Sequence, residues 1–285
     1  MAYIALDMAI QAAAAGASPT FTQIGRRQSG TLGYEQSVAH RTGGRGDDSM
    51  AFGIIYATGS VNWLVQDKTF LTTIANGNRL ASGYPGSLPT AFQVQGGTDD
   101  AACVRHQTGC LINRLAFEGA VGEALSATAE WYATGETDLA SWTVASPPTG
   151  APMEWYKADC KIGGSAYVME SFSAEITHNL RGYASLDAGA TGTLRWVEGF
   201  LPGSEAVTAS AQLRTPLGVD LTADDPQSSS YTLACTWTNG TTSLTLTLTG
   251  MVVTGMPLEL GGADDEIFWA VDFEAPLNSN AWVIT

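Results

Sequence analysis

The segment Thr236–Thr249 alternates with period two: Leu244, Leu246 and Leu248 fall on one side, Thr245, Thr247 and Thr249 on the other. Only an extended strand with one buried and one solvated face accommodates that pattern. Asn239-Gly240 sits at its start, where two residues tolerant of positive φ predict a hairpin turn. The same alternation recurs in Leu125, Ala127, Ala129 and Trp131 against Ser126, Thr128 and Glu130, and in Ile267, Trp269, Val271 and Phe273. Leu111–Glu118 and Glu123–Ala133 therefore read as two strands joined at Gly119–Gly122. With 32 glycines and only 14% charged residues, the chain fits a protein of many short strands and turns and excludes a helix bundle. The best helix candidate is short, Asp67–Ala75, capped by Asp67 and stopped by Asn76-Gly77.

Two segments repeat. Ala57-Thr-Gly-Ser-Val-Asn-Trp-Leu-Val65 aligns with Ala190-Thr-Gly-Thr-Leu-Arg-Trp-Val-Glu198, identical at Ala, Thr, Gly and Trp. Val61, Trp63 and Val65 share one face, as do Leu194 and Trp196. The separation is about one compact domain, so the repeat predicts a duplicated unit. Between the copies, Ser146-Pro-Pro-Thr-Gly-Ala-Pro152 carries three prolines, which deny amide donors to a sheet ladder and suit a linker. The expected organisation is a β domain over 1–140, a Pro-rich linker over 141–155 and a second β domain over 156–285.

Charge restricts the partners. The 28 Asp and Glu against 13 Lys and Arg give a net charge of −15 and a pI near 4.4, which opposes an outer surface that grips nucleic acid by neutralising phosphates. Cys103, Cys110, Cys160 and Cys235 are too sparse for a disulfide-stapled module and read as reduced and mostly buried. The Ala-rich start lacks Lys or Arg before its apolar part, which Asp7 and Gln11 interrupt, so it reads as an arm or edge strand of a cytoplasmic protein rather than a signal peptide. No stretch approaches the ~20 apolar residues of a membrane span.

Catalytic and metal patterns are weak. Asp99-Asp100, Asp224-Asp225 and Asp264-Asp265-Glu266 lack an alternating ligand register and sit in turn sequences, where solvated acids are ordinary. Cys103, His106 and Cys110 lack an evident fourth zinc ligand. His40, His106 and His178 neighbour no nucleophile motif. Arg45-Gly-Asp47 and the sequon Asn239-Gly-Thr241 carry little specificity. No catalytic residue, metal or cofactor is assigned. What recurs instead is acid within the alternating strands: Glu118, Glu123 and Glu130, then Glu170, Glu175, Glu259, Asp272 and Glu274.

Cys110–Trp131, Ser171-Phe-Ser-Ala-Glu-Ile-Thr-His-Asn-Leu180, Ala190–Trp196 and Asp264–Ala275 together resemble, in order, segments of the two-domain major tail tube proteins of tailed bacterial or archaeal viruses. The resemblance covers most of 45–280 and rests on patterns rather than invariant residues. It implies a mainly β fold of two tandem sandwich or barrel domains, each with a short flanking helix, and a structural virion protein without catalysis. It further implies self-association into rings whose sheets join edge to edge, stacked into a hollow tail through which double-stranded DNA is ejected. Tape measure, tail terminator and tail tip proteins are the implied partners. Assembly is placed in the host cytoplasm, with no membrane insertion.

Because single-domain members form six-fold rings, a duplicated chain predicts a trimer with pseudo-six-fold symmetry. The eight acids Glu118, Glu123, Glu130, Glu170, Glu175, Glu259, Asp272 and Glu274 are the candidates for the lumen, where an acidic, Thr-rich wall lets a polyanion slide. The Gly- and charge-rich loop 26–49, with Arg26, Arg27, Arg41, Arg45, Asp47 and Asp48, joins the N-terminal arm and the tail after Pro276 as a candidate contact between rings, ordering against a partner. The competing reading is a carbohydrate- or calcium-binding β-sandwich of a tail tip or cell surface that uses exposed aromatics and nearby acids. A glycan-cleaving enzyme with two of the carboxylates is a third.

Overall fold

The computed structural model describes residues 9–16, 18–25, 29–43, 47–79, 89–97, 104–183, 197–214, 230–256, 258–259, 268–277, 279 and 281–285. The chain is mainly β. In its first half run β1 (Ala9–Ala14), β2 (Thr22–Gln23), β3 (Ser29–Gly43), β4 (Asp47–Leu64), a short helix Phe70–Ala75 continuing as a 3-10 turn Asn76–Asn78, β5 (Phe92–Gly97), β6 (Arg105–Ala120), β7 (Ser126–Ala133) and β8 (Gly135–Asp138). The second half holds β9 (Glu154–Ile162), β10 (Ser165–Ala166), β11 (Met169–Thr177), β12 (Arg181–Tyr183), β13 (Gly199–Leu201), β14 (Ala206–Arg214), β15 (Tyr231–Thr238), β16 (Ser243–Gly255), β17 (Leu258–Glu259), β18 (Phe268–Glu274) and β19 (Trp282–Ile284).

All pairings are antiparallel, and they repeat. In the first half one run of strands is β3-β4-β7-β6 and a second is β2-β1-β5-β6-β8. In the second half the corresponding runs are β11-β14-β18 flanked by β16 and β17, and β10-β9-β15-β16-β19. The permutation is the same in each, with the long strands β6 and β16 each passing from one run into the other. The halves then join: Ser171–Thr177 of β11 pairs with Arg114–Ala120 of β6, so one sheet continues from β3 to β16 and β17. Strand β4 holds the place in its half that β14 holds in the other. The nine-residue repeat therefore does not mark the equivalent strands, since β14 begins at Ala206, after the second copy. Ala190–Trp196 of that copy lies outside the described residues.

Alternation dictates the core. Val61, Trp63 and Val65 are buried as the pattern requires, as are Leu125, Ala127, Ala129, Trp131, Leu244, Leu246 and Leu248. One contiguous apolar cluster runs from Ile10 to Ile284 and takes in both halves. Trp63, Trp131, Trp237 and Trp282 are fully buried, each a large share of core area. The Trp131 indole N–H donates to Gln107 Oε1 at 2.8 Å, and Gln107 Nε2 donates to the Gly33 and Thr58 carbonyls and to Glu136 Oε2. A Cβ on Gly59 would lie 2.3 Å from the Trp131 ring, so the glycine of the first repeat copy is fixed by this indole.

Other expectations change in detail. Asn239-Gly240 turns the β15–β16 hairpin, but as a four-residue loop in which only Gly240 has positive φ, 89°. Asn239 Oδ1 accepts the N–H groups of Thr241 and Thr242, which fixes that wider turn without strain at Asn239. The expected helix begins at Phe70, with Asp67 Oδ1 accepting the Thr69 N–H at 2.9 Å. Its stop sequence clamps strands. Asn76 donates to the Ile284 carbonyl and accepts the Ile284 N–H, while Asn78 Oδ1 accepts the Ile112 N–H. No second short helix is found among the described residues. The loop expected over 26–49 is instead largely a hairpin, with β3 and β4 paired from Ser29↔Asn62 to Gly43↔Asp47. The ladder extends outward from a base where Ala57, Val61 and Trp63 of β4 are buried, despite the Gly-rich sequence. Cys110, Cys160 and Cys235 are buried and unbridged; Cys103 lies outside the described residues.

Candidate functional site

Because side chains alternate across a strand, the sheet from β3 to β18 has one core face and one polar face. Along β7, β6, β11, β14 and β18, the polar face carries Ser126, Thr128 and Glu130; Arg114 and Glu118; Ser173, Glu175 and Thr177; Thr208 and Ser210; Asp272 and Glu274. Register lines these up in rows across the strands. Thr128, Ala116, Glu175, Thr208 and Glu274 form one row, and Ser126, Glu118, Ser173, Ser210 and Asp272 the next. The junction of the two halves thus lies in the middle of the face, and a shallow groove crosses it between Arg114, Glu175 and Asp272.

The electrostatics are those of a screened acidic surface. Arg114 Nη1 donates to Glu130 Oε1 at 2.8 Å and Nη2 to Glu175 Oε2 at 2.7 Å, tying β7, β6 and β11 together. The hydrogen bond from Arg114 holds the Glu175 carboxyl below the ordinary carboxylate range. At the far end Arg214 Nε meets Glu170 Oε1 at 3.1 Å. On the β4 side, Asn62 donates to Thr128 Oγ1, and the Tyr56 hydroxyl donates to Glu35. Burial and that bond raise the Tyr56 phenol to about 12, so it stays protonated at neutral pH. Among the described residues seven carboxylates, Glu35, Glu118, Glu130, Glu170, Glu175, Asp272 and Glu274, stand against the guanidiniums of Arg114 and Arg214 here.

Five of the eight candidate acids, Glu118, Glu130, Glu175, Asp272 and Glu274, thus share one face, with Glu170 beside it at Arg214. Glu123 stands apart, in the exposed turn after β6. The side chain of Glu259 lies outside the described residues, although its backbone pairs opposite Phe268. Of the candidate ring-to-ring contacts, Arg26, Arg27 and Arg45 lie outside the described residues. Arg41, Asp47 and Asp48 stand at the far end of the β3–β4 hairpin, with their side chains also outside the description. Asp99-Asp100, Asp224-Asp225 and Asp264-Asp265-Glu266 lie outside it as well.

A buried polar cluster escapes the sequence pattern. His178 Nδ1 lies 2.8 Å from the Ile112 carbonyl and Nε2 lies 3.4 Å from Glu205 Oε2, which accepts the Trp282 indole N–H at 3.1 Å. Arg79 lies over the Trp282 ring at 5.4 Å, its basicity lowered by burial and partly restored by Glu205. These residues come from β6, β19, the helix end and the two ends of the β11–β14 connection. They bolt the halves together behind the polar face. His106, the histidine of the Cys-x2-His-x3-Cys pattern, meets Gln93 Oε1 at 2.9 Å, and burial lowers its pKa. Among the described residues no group of three or more His, Cys, Asp or Glu side chains converges on a point where a metal ion would sit. No helix among them is long and apolar enough to cross a membrane.

Residues 4–277 match the model of the family described as phage tail tube protein. No curated protein matches the chain.

Proposed function

Since the chain belongs to the phage tail tube protein family, whose members are structural components of the virion tail, we propose that it closes into rings that stack into the hollow tube of a tailed virus and that its acidic face lines the DNA channel. One observation carries the reading. The sheet from β3 to β16 and β17 is two copies of a four-strand permutation joined edge to edge, and among the described residues its outer edges pair with no further strand. Unpaired edges are an aggregation hazard unless a neighbour completes them, and a cyclic arrangement of copies leaves none.

The duplication supports two tandem tail-tube units, 1–140 and 156–285 with 141–155 between, and a trimeric ring with pseudo-six-fold symmetry. Glu118, Glu130, Glu175, Asp272 and Glu274, with Glu123, Glu170 and Glu259, face the lumen and repel phosphate, so duplex DNA transits without sticking. The far end of the β3–β4 hairpin, with Arg26, Arg27, Arg41, Arg45, Asp47 and Asp48, contacts the next ring. Tape measure, terminator and tip proteins meet the tube at its bore and ends, and assembly takes place in the host cytoplasm.

Electron microscopy of the purified protein tests this. Long tubes of stacked rings are expected without any added ligand, each ring having the mass of three 29.8 kDa chains. A stable monomer that forms no tube rejects the assembly, and six chains per ring reject the trimer.

A further inference from the structure

The junction inside the chain specifies the one between chains. At that junction β6, the last strand of the first four-strand run, pairs with β11, the first strand of the second. By the shared permutation, β16 and β17 are the counterparts of β6, and β3 is the counterpart of β11. The edges left unpaired among the described residues are therefore the same two kinds of edge that already meet within one chain. From this we infer that β17 and the end of β16 pair antiparallel with β3 of a second copy, in a register the chain itself dictates.

The register follows from shared neighbours. Glu118 stands opposite Ser126, the first residue of β7, and Glu259 opposite Phe268, the first of β18; Glu259 is thus the counterpart of Glu118. Ser60 lies beside Glu130, fifth in β7, and Ser210 beside Asp272, fifth in β18. Thr31 pairs with Ser60 and Ser173 with Ser210, which makes Thr31 the counterpart of Ser173. Inside the chain Glu118 faces Ser173. Between chains Glu259 then faces Thr31, Leu258 faces Leu32, Met256 faces Tyr34 and Gly255 faces Glu35.

Exposure at the two edges fits a missing neighbour. At the internal junction Leu115 and Ile176 face each other and are each 1% exposed. Their counterparts are Met256 and Tyr34. Tyr34 is 61% exposed and Met256 half-buried. A large aromatic on the core side of a sheet edge gains cover only from the strand that would follow. The contact is heterologous, because unlike edges meet, so it propagates around a ring until the rotation closes.

The inference rests on the tube reading, and paired cysteines separate the two. Two full-length variants, T31C/E259C and Y34C/M256C, sample both kinds of antiparallel site, the narrow and the wide, so one of them has the spacing a disulfide needs. After mild oxidation of assembled tubes, at least one is expected to give a ladder of linked chains on a non-reducing gel, ending at the number of chains per ring. Single variants and the mismatched pair T31C/M256C, about 10 Å out of register, should remain unlinked. Tubes that form normally while neither matched pair links overturn the register but leave the tube reading intact. A wild-type protein that remains monomeric, with no linked species in any variant, overturns both.

Discussion

Gly109 and Gly250 hold the same place in the two halves, each with positive φ, 63° and 70°, where β6 and β16 leave one strand run and enter the other. A non-glycine residue there pays the left-handed backbone penalty of about 1–2 kcal/mol. The surroundings differ: a Cβ on Gly109 would stand 2.2 Å from Thr134 Oγ1, whereas one on Gly250 meets nothing within 4 Å. Urea unfolding should therefore show Gly250→Ala losing about 1–2 kcal/mol and Gly109→Ala distinctly more. Equal losses would mean that the Thr134 contact relaxes without cost.

The buried cluster behind the polar face gives a second expectation. Glu205 and His178 are 2% and 1% exposed, and Glu205 is the acceptor for the Trp282 indole. Glu205→Ala strands the Trp282 indole N–H in the core and takes away the carboxylate beside His178 Nε2, and removing one partner of a buried pair costs about 3–5 kcal/mol. Glu205→Gln keeps a carbonyl acceptor for Trp282 and should lose less. Thermal unfolding of both variants checks the order, and a Gln variant weaker than the Ala variant contradicts the assigned contacts.

Arg114 links pH to stability through Glu175. The guanidinium, hydrogen-bonded first and attracting by charge second, lowers the Glu175 pKa in the fold. A depressed carboxylate contributes stability that is present above its unfolded pKa, about 4.3, and lost as pH falls through the folded value. The stability gap between wild type and Arg114→Gln should therefore be open at pH 7 and shut progressively below about pH 4. Both carboxylate partners are partly solvated, so the gap is at most about 1 kcal/mol. An NMR titration should find Glu175 at higher pKa in the variant; no change there removes Arg114 as the cause.

The faces were readable in the sequence, and the partners were not. Period-two alternation identified which side of Leu125–Trp131 and Leu244–Leu248 is buried, and it placed Glu118, Glu130, Asp272 and Glu274 on the solvated side of their strands. Alternation carries no information about which strand comes next. The β6–β11 pairing joins residues far apart in the chain, and its register emerges only from the folded sheet. A short match at 57–65 and 190–198 suggests a repeated unit, yet the repeated strand order puts the equivalence at β4 and β14, whose sequences there read Thr58-Gly-Ser-Val and Thr208-Ala-Ser-Ala. Gln107, His178 and Glu205 read as ordinary polar residues, because the partners that accompany their burial, Trp131, the Ile112 carbonyl and Trp282, are brought to them only by the folded chain.

The charge of the polar face supplies the sharpest test of its role. Glu118 and Glu175 stand on the two strands of the internal junction, Glu274 lies in the row of Glu175 beyond Thr208, and each is at least partly solvated, so lysine is sterically acceptable at all three. Tubes of the wild type should leave a short fluorescent duplex in solution, since the guanidiniums of this wall, Arg114 and Arg214, are already paired with its own carboxylates and the remaining acids repel phosphate. Tubes of Glu118→Lys/Glu175→Lys/Glu274→Lys should retain it. That retention should fall with salt at a log–log slope of about −0.9 for each phosphate engaged. Ejection through such a tail should slow in proportion to the dwell time. If the reversed tubes form but neither hold DNA nor delay its passage, these acids lie on the outside of the tube and the channel is lined by another face.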